Sequence, residues 1–154
     1  MKDFYKALDH YRKLFREGSR RISIFKTDKF YWLVDNYSAH RIPESEMELN
    51  PAVFRPFPND LLAMIAKAES GVPLKSTGLI KGKTVTQNAS IPFVSEGDSP
   101  FTIWFAKDLF DTFPKYVSLK GTGPLEPAVV QDHDVTIGVI LPTRNSKDDI
   151  SLYL

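Results

Sequence analysis

The sequence predicts an α+β fold built as a single domain over residues 1–154. The chain has 154 residues, of which 42% are hydrophobic, enough apolar material for one buried core. A helical pattern followed by three short strand patterns occurs near the start and again near the end. We therefore expect two helix-plus-antiparallel-strand units, at about 3–42 and 101–144. An insertion at about 43–100 with its own helix and hairpin separates them, and a tail at 145–154 follows.

The first unit begins with the clearest helix of the chain. Phe4, Leu8, Tyr11 and Phe15 recur at helical spacing and predict one apolar stripe, while Gly18 is typical of a helix end. Three strands are predicted to follow. Apolar residues alternate at 22–24, an aromatic and β-branched run occupies 30–34, and a short segment at 39–42 ends before a proline.

The insertion opens with a proline-rich connector. Four prolines between 43 and 58 prevent a continuous helix or strand there. Asn59 is the expected N-cap of a second helix, which Gly71 ends. Residues 75–86 predict a hairpin turning at Lys81 and Gly82, and Pro92 restricts residues 91–94 to a sheet edge.

The second unit repeats the order of the first. A strand at 101–105 leads into a short helix that ends before Pro114, and strand patterns follow at 116–120, 125–131 and 135–141. In the last strand, strict alternation predicts that Val135, Ile137, Val139 and Leu141 share one face.

Composition and motifs argue against most kinds of catalytic, metal-binding and phosphate-binding site. The absence of cysteine excludes disulfides, thiolate metal sites and cysteine nucleophiles. His10, His40 and His133 lie far apart, without metal-ligand spacing. Gly121 and Gly123 precede a strand, so they do not open a phosphate-binding helix. We expect a non-enzymatic protein with no catalytic residue, metal or cofactor, although an enzyme with dispersed residues remains an alternative. No apolar run is long enough to span a membrane, and a cytoplasmic protein is expected.

Charge is distributed unevenly along the chain. Residues 1–21 carry seven basic and three acidic side chains, a net charge of +4, so the remainder carries −3 and the whole chain +1. A basic helix face can contact the phosphate backbone of DNA without reading its sequence, and an ordinary solvated face is the alternative. The candidate DNA-binding residues are those on the first helix and beside the later one: Lys2, Lys6, Arg12, Lys13, Arg16, Lys107 and Lys115.

The second unit resembles the closing segment of the bacterial DNA polymerase sliding clamp, or beta subunit. The resemblance rests on FAKDLFDTF at 105–113, YVSLK at 116–120, GPLEPAVV at 123–130 and IGVILPTR at 137–144. In that family a helix and strand lead to a Gly-Pro-Leu-x-Pro-like turn and to a last strand ending in a Met-Pro-x-Arg-like motif. Upstream, WLVDNYSAHRI at 32–42 is similar to the family's strand ending in Thr-Asp-Gly-His-Arg-Leu, without the glycine and with extra residues before the His-Arg pair.

The resemblance implies a DNA-clamp-like domain and a peptide-binding pocket. In the family, the two matching strand ends line a pocket that captures short peptides of polymerases and repair proteins. Carried over by position, the candidate pocket residues here are His40, Arg41, Ile42, Leu141, Pro142, Thr143 and Arg144. Family clamps place these segments on neighbouring domains, whereas this chain has room for one domain.

The function implied is a sliding-clamp-like protein, encoded by a phage or mobile element, that binds double-stranded DNA or replication-protein peptides. Clamps carry three such domains per chain, so a ring would need a homo-oligomer of about six copies. A monomeric protein-interaction module that keeps the fold without encircling DNA is the alternative. The tail, with Leu152 and Tyr153 as apolar anchors, resembles clamp-binding peptides, and a frayed terminus is its other interpretation.

Overall fold

The computed structural model describes residues 4–18, 21–81 and 89–143. In chain order these residues form α1 (Tyr5–Arg16), β1 (Ser23–Lys26), β2 (Phe30–Val34), β3 (Ser38–Pro43), two short 3-10 turns (Glu44–Glu46 and Pro51–Val53), β4 (Arg55–Pro56), α2 (Leu61–Glu69), β5 (Val72–Ser76), β6 (Ser90–Ser95), β7 (Thr102–Ala106), α3 (Lys107–Phe110), β8 (Ser118–Gly121), β9 (Ala128–Asp132) and β10 (Val135–Ile140). The fold is α+β, as the sequence predicts.

All ten strands belong to one sheet with the order β4-β1-β2-β3-β10-β9-β8-β5-β6-β7. Every neighbouring pair is antiparallel except β1 and β4, which run parallel over two residues. The last strands of the two units, β3 and β10, therefore pair at the centre. Strands β5 and β6 of the insertion lie between β8 and β7, so the insertion forms part of the sheet.

Helix α1 and the residues after α3 cover the same face of the sheet. Cross-strand pairing places Leu33, His40, Gly138 and Val130 opposite one another on β2, β3, β10 and β9, and directly opposed residues share a face. Leu33 packs in the core cluster of α1, whereas Val130 packs with Phe113, which follows α3. These two elements are therefore neighbours above one continuous surface.

Helix α2 covers the opposite face. Its buried residues Leu61, Ile65 and Ala68 pack against Trp32 and Val139, whose strand neighbours point toward α1 and Phe113. The N-cap of α2 is Asp60, whose carboxylate accepts a hydrogen bond from the N–H of Ala63 at 3.1 Å, so the assignment of Asn59 was wrong.

The part of the sheet from β10 to β7 curves around its own core. Leu74, Phe93, Phe105, Val130 and Ile140 come from five of its six strands and pack in one cluster. Just beyond β10, the N–H of Thr143 donates to the carbonyl of Trp104 on β7 at 2.7 Å. The two ends of this six-stranded section are thus joined by a hydrogen bond.

The structure corrects two predictions about the insertion. Lys75 and Ser76, predicted to begin a hairpin at 75–86, pair instead with Val94 and Phe93 on β6; residues 82–86, with Gly82 of the predicted turn, lie outside the described residues. β6 is also not an edge strand, since β5 and β7 flank it. Pro92 is tolerated because β5 ends at Ser76, so Pro92 has a strand neighbour on one side alone.

Two further predictions about side-chain faces were wrong. A bulge between Thr136 and Gly138 interrupts the alternation of β10, so Ile137 packs toward the cluster of Phe113 while Val139 packs toward α2. On α1, Phe15 is 51% exposed and Ala7 is buried in its place.

Candidate functional site

The solvent side of α1 carries the exposed cations. Lys6, Lys13 and Arg16 are exposed and form no ion pair with any residue the structure describes. Arg12 is different, because its guanidinium pairs with Asp9 on the same helix at 2.9 Å and with Glu48 in the connector. The cationic surface of α1 is therefore smaller than the sequence predicts.

The cations near α3 divide in the same way. Lys107 pairs with Asp111 one helical turn later at 2.5 Å, and this hydrogen bond raises the pKa of Lys107 above its usual value. Lys115 is exposed in the segment between α3 and β8. Lys2 lies outside the described residues. Four of the seven predicted DNA-binding residues are thus exposed and without an ion pair in the part of the chain described.

The predicted peptide-pocket residues separate into different environments. His40 lines a cavity of about 260 Å³ on the α1 side of the sheet, which we call the interhelix cavity. Arg41 also borders this cavity, but its pairing with Trp32 directs its side chain toward the α2 face, where the guanidinium stacks on Phe30. Leu141 lines a second cavity, of about 180 Å³, between α2 and the end of β10. Ile42 is fully buried in the core beneath α1. The structure does not bring His40 and Leu141 into one cavity, because the cavity of His40 lies on the α1 side of the sheet and the cavity of Leu141 lies on the α2 side.

The other predicted pocket residues lie beyond β10. Thr143 is held at β7, where both its N–H and its hydroxyl contact the carbonyl of Trp104. Pro142 is half-buried between Leu141 and Thr143. Arg144 lies outside the described residues, as do Leu152 and Tyr153 of the tail.

The interhelix cavity lies where β10 separates from β3. The paired residues of these strands end at His40 and Gly138, beyond which a gap opens. Its walls come from α1, from the segment after α3 and from the β9–β10 hairpin: Phe4, Ala7, Phe113, Pro114, Asp132 and Ile137. Sequence spacing carries no signal for this site, because its walls meet only through the pairing of β3 with β10.

A buried hydrogen-bonded chain forms the floor of this cavity. The hydroxyl of Tyr11 donates to the carbonyl of Leu33 at 2.6 Å and lies 2.9 Å from Nδ1 of His40. Nε2 of His40 lies 2.7 Å from Oγ1 of Thr112, and the His40 ring stacks on Phe113 with centroids 4.3 Å apart. Tyr11 and His40 thereby connect α1 to the segment after α3.

Burial determines the ionisation of this floor. The pKa of His40 is lowered from 6.5 to about 3, mainly because burial disfavours the charged ring; nearby His10 adds to the shift and Asp35 opposes it. Burial also raises the pKa of Tyr11 well above its usual value. At neutral pH the floor is therefore uncharged.

A second polar contact lies beside it, between His10 and Asp35. Nε2 of His10 lies 2.7 Å from Oδ2 of Asp35, whose other oxygen accepts from the N–H groups of Tyr37 and Ser38. Burial acts to raise the pKa of Asp35, but these hydrogen bonds outweigh it and the pKa lies below its usual value. This arrangement fixes the β2–β3 turn against α1, since the carboxylate is used fully by local partners.

Arg41 and Asp132 are the charged residues that border the interhelix cavity. The guanidinium of Arg41 stacks on Phe30, 4.0 Å from the ring centroid, and has no hydrogen bond or ion pair with any described residue. Burial lowers the pKa of Arg41 and the charge of Asp132 opposes this shift. Oδ1 of Asp132 contacts Nδ1 of His133 at 2.6 Å.

Within residues 4–18, 21–81 and 89–143, no group of three or more His, Asp or Glu side chains could hold a metal ion. None of the helices in these ranges is long and apolar enough to cross a membrane. Comparisons with protein-family models, with curated proteins and with solved structures find no match to this chain.

Proposed function

We propose that the protein is a non-enzymatic, sliding-clamp-like module of phage or mobile-element origin that acts in the cytoplasm and binds double-stranded DNA. The observation that carries the proposal is that α1 and the segment after α3, which contains Phe113, occupy one face of a continuous sheet. Each helix is followed by three antiparallel strands, and the last strands, β3 and β10, pair with each other. This is the arrangement expected from the clamp resemblance, in which the helix-bearing face is turned toward the DNA.

The exposed cations support a DNA-facing role for this surface. Lys6, Lys13 and Arg16 are exposed on α1, and the exposed Lys115 follows Pro114, which lines the interhelix cavity on the α1 side of the sheet. Contacts of this kind are made to phosphates, so they give affinity without sequence preference. Arg12 and Lys107 contribute less, because a phosphate would have to displace their carboxylate partners.

The number of free cations sets the expected salt dependence. Four phosphate contacts per copy give a slope of log K against log salt of about −3.6, or about a 150-fold loss of affinity between 50 and 200 mM salt. We would measure duplex binding by fluorescence anisotropy over that range. The triple variant Lys6→Glu, Lys13→Glu, Arg16→Glu should weaken binding and reduce the slope toward about −0.9, the value for one contact.

A matched control tests whether position matters or only net charge. Three basic residues lie on the α2 face of the sheet and serve as the control: Arg55, Lys67 and Lys75. Lys67 belongs to α2 itself. Arg55 pairs with Ser23, which is opposite Val34 of the α2 cluster, and Lys75 points away from the core because its neighbour Leu74 points into it. Reversing these three to Glu makes the same change in net charge on the wrong surface. Equal losses in both triple variants, or no loss in the first, would refute the DNA-binding surface.

Encirclement of DNA would require assembly of copies, which light scattering measures directly. A ring of about six single-domain chains should be detected at high protein concentration or on addition of duplex DNA. A protein that stays monomeric under both conditions would exclude the ring and leave only contact along one side of the duplex.

A monomeric protein-interaction module is the second candidate. The observation favouring it is that carboxylates neutralise Arg12 and Lys107 while the face opposite α1 is covered by α2. Its partners would be polymerase or clamp-binding peptides. A fluorescent clamp-binding peptide should then bind the wild-type monomer without DNA. The variants His40→Ala and Leu141→Ala would show which of the two cavities receives it.

A further inference from the structure

Two exposed aromatic side chains stand beside the cations of α1. Tyr5 is 44% exposed and precedes Lys6, and Phe15 is 51% exposed and precedes Arg16. Tyr5 and Arg16 lie about three helical turns apart, so they share the solvent side of the helix. Phe15 occupies the last turn together with Lys13 and Arg16. The proposed DNA surface therefore offers aromatic rings as well as positive charge.

A second ring holds each of these two side chains in place. The Tyr5 ring meets the ring of Phe4 edge to face, with centroids 4.9 Å apart, and the Phe15 ring meets that of Phe54 in the same way at 6.1 Å. Phe54 is itself buried in the core beneath α1. About half of each outer ring stays exposed, so an incoming planar group would stack on a surface whose orientation is already restricted.

The apolar stripe of α1 is not available to a ligand. Ala7, Leu8 and Tyr11 are buried against the sheet, so the helix has no continuous apolar face to insert into a lipid surface. Two separate rings among cations remain on the outside. Nucleic acid matches this combination, because its phosphates bind cations and every base has an aromatic face that stacks on a ring.

The rings favour a single strand over a duplex. Tyr5 and Phe15 lie about 15 Å apart along the helix. In a duplex the bases are paired and stacked on each other about every 3.4 Å, so their faces are closed to both rings. In a single strand the bases turn outward, and two bases a few nucleotides apart can each stack on one ring.

We propose that this surface of α1 binds single-stranded DNA more tightly than duplex DNA. Bases stack on Tyr5 and Phe15. Phosphates of the same strand contact Lys6, Lys13 and Arg16. The inference rests on the proposed function, since it assigns a form of DNA to the same surface. The cations serve both forms, whereas the rings contribute to the single strand alone.

The first test compares ligands on the wild-type protein by fluorescence anisotropy. The probes are oligothymidine of about 12 nucleotides, a duplex of the same length, and an abasic strand that keeps the sugars and phosphates. Each stacked base is worth about a fivefold gain in affinity or more, so oligothymidine should bind at least about 20-fold more tightly than the abasic strand. It should also bind more tightly than the duplex. Equal binding of the abasic strand would overturn the stacking, because that strand offers the same phosphates. Tighter binding of oligouridine or of phosphatidylserine vesicles would assign the surface to RNA or to lipid and overturn the proposal.

Salt separates the two forms of DNA further. Each phosphate contact contributes about −0.7 to the slope of log K against log salt for a single strand and about −0.9 for a duplex. With three or four contacts, the ratio of the affinity for oligothymidine to that for the duplex should rise about two- to threefold between 50 and 200 mM salt. A ratio that falls over this range would contradict the proposal.

The second test removes the rings and keeps the cations. The double variant Tyr5→Ala, Phe15→Ala retains helix propensity but loses both aromatic faces, so its affinity for oligothymidine should fall at least about 20-fold. Its affinity for the duplex should stay unchanged. Tyr37→Ala is the matched control, because Tyr37 is 58% exposed in the β2–β3 turn, away from α1. An equal loss in the control, or no loss in the double variant, would refute the role of the rings. If the double variant fails to fold, the ligand series on the wild-type protein decides the question.

The triple variant Lys6→Glu, Lys13→Glu, Arg16→Glu separates this inference from the proposed function. If it weakens the binding of both forms of DNA while the ring variant binds as the wild type does, the cationic surface stands and the single-strand assignment fails. If it leaves duplex binding unchanged, the proposed function fails. A loss of oligothymidine binding in both the ring variant and the triple variant would then still support the inference.

Discussion

The buried imidazole of His40 should make the protein lose stability in mild acid. Its pKa is about 3 in the folded protein and about 6.5 when exposed. The unfolded chain therefore binds a proton at this residue between these values and the folded protein does not, so stability falls as the pH is lowered from 6.5 toward 3. The groups facing His40 are Tyr11, His10 and Asp35.

The magnitude follows from the shift. A shift of several pKa units is worth more than about 1 kcal/mol per pH unit within the window, so lowering the pH from 7.5 to 4.5 should reduce the free energy of unfolding by about 3 kcal/mol through His40. The lowered pKa of Asp35 acts in the same direction. The contribution of Asp35 is lost as the pH falls through its ordinary pKa of 3.8 and below, so pH 4.5, which lies above that value, largely isolates the histidine.

The assay is urea unfolding at pH 7.5 and 4.5, followed through the fluorescence of buried Trp32 and Trp104. His40→Gln removes the titrating ring, so its free energy of unfolding should change about 3 kcal/mol less than that of wild type between the two pH values. The quantity compared is this difference, because the variant also loses the stacking on Phe113 at every pH.

The matched variant His10→Gln keeps His40 and should retain most of the pH dependence. Equal pH dependence in wild type and His40→Gln would refute the reasoning. If His40→Gln does not fold, an NMR titration of the wild-type histidine rings gives the same answer. A His40 ring that protonates near pH 6 in the folded protein would contradict its burial.

Three changes test the packing of the fold on both faces of the sheet, each by the free energy of unfolding in urea. Gly138→Ala should cost about 1–3 kcal/mol, because a Cβ there would lie 2.1 Å from the ring of Phe113; unchanged stability would contradict that close approach. Asp60→Ala should cost about 1 kcal/mol and Asn59→Ala almost nothing, since Asp60 caps α2; the reverse order would restore Asn59 as the cap. Tyr11→Phe should cost about 1–3 kcal/mol, because its hydroxyl hydrogen-bonds to two buried groups; a neutral effect would show that the hydroxyl is not required.

Local sequence patterns predicted an element well where its own residues carry the pattern. The helix containing Leu8 and Tyr11 was predicted from the spacing of its apolar residues alone. The strand at Phe30–Val34 was predicted from its run of aromatic and β-branched residues. Predictions that depended on a distant partner were less accurate. Pro92 predicts an edge strand, but the length of β5 on one side allows it inside the sheet. The bulge between Thr136 and Gly138 places Ile137 and Val139 on opposite faces of the sheet, and no residue type in β10 predicts this bulge.

The candidate site was predictable only in part for the same reason. His40 and Arg41 were selected by resemblance, and both border a cavity. Thr112 and Asp132 could not be linked to them, because 72 residues separate His40 from Thr112 and only strand pairing brings them together. Ion pairing likewise decides which cations of α1 are free, since Glu48 reaches Arg12 from the connector.

The sequence by itself determined the α+β class, the positions of the three helices, the absence of thiol chemistry and the uneven charge. These properties are set by composition and by periodicities of a few residues, which depend on no distant contact. Only the tertiary structure decided that α1 and the α3 segment share one face, that α2 covers the other, and that a cavity with His40 and Asp132 lies between the units. Strand order and register determine these features, and both depend on contacts between residues far apart in the chain.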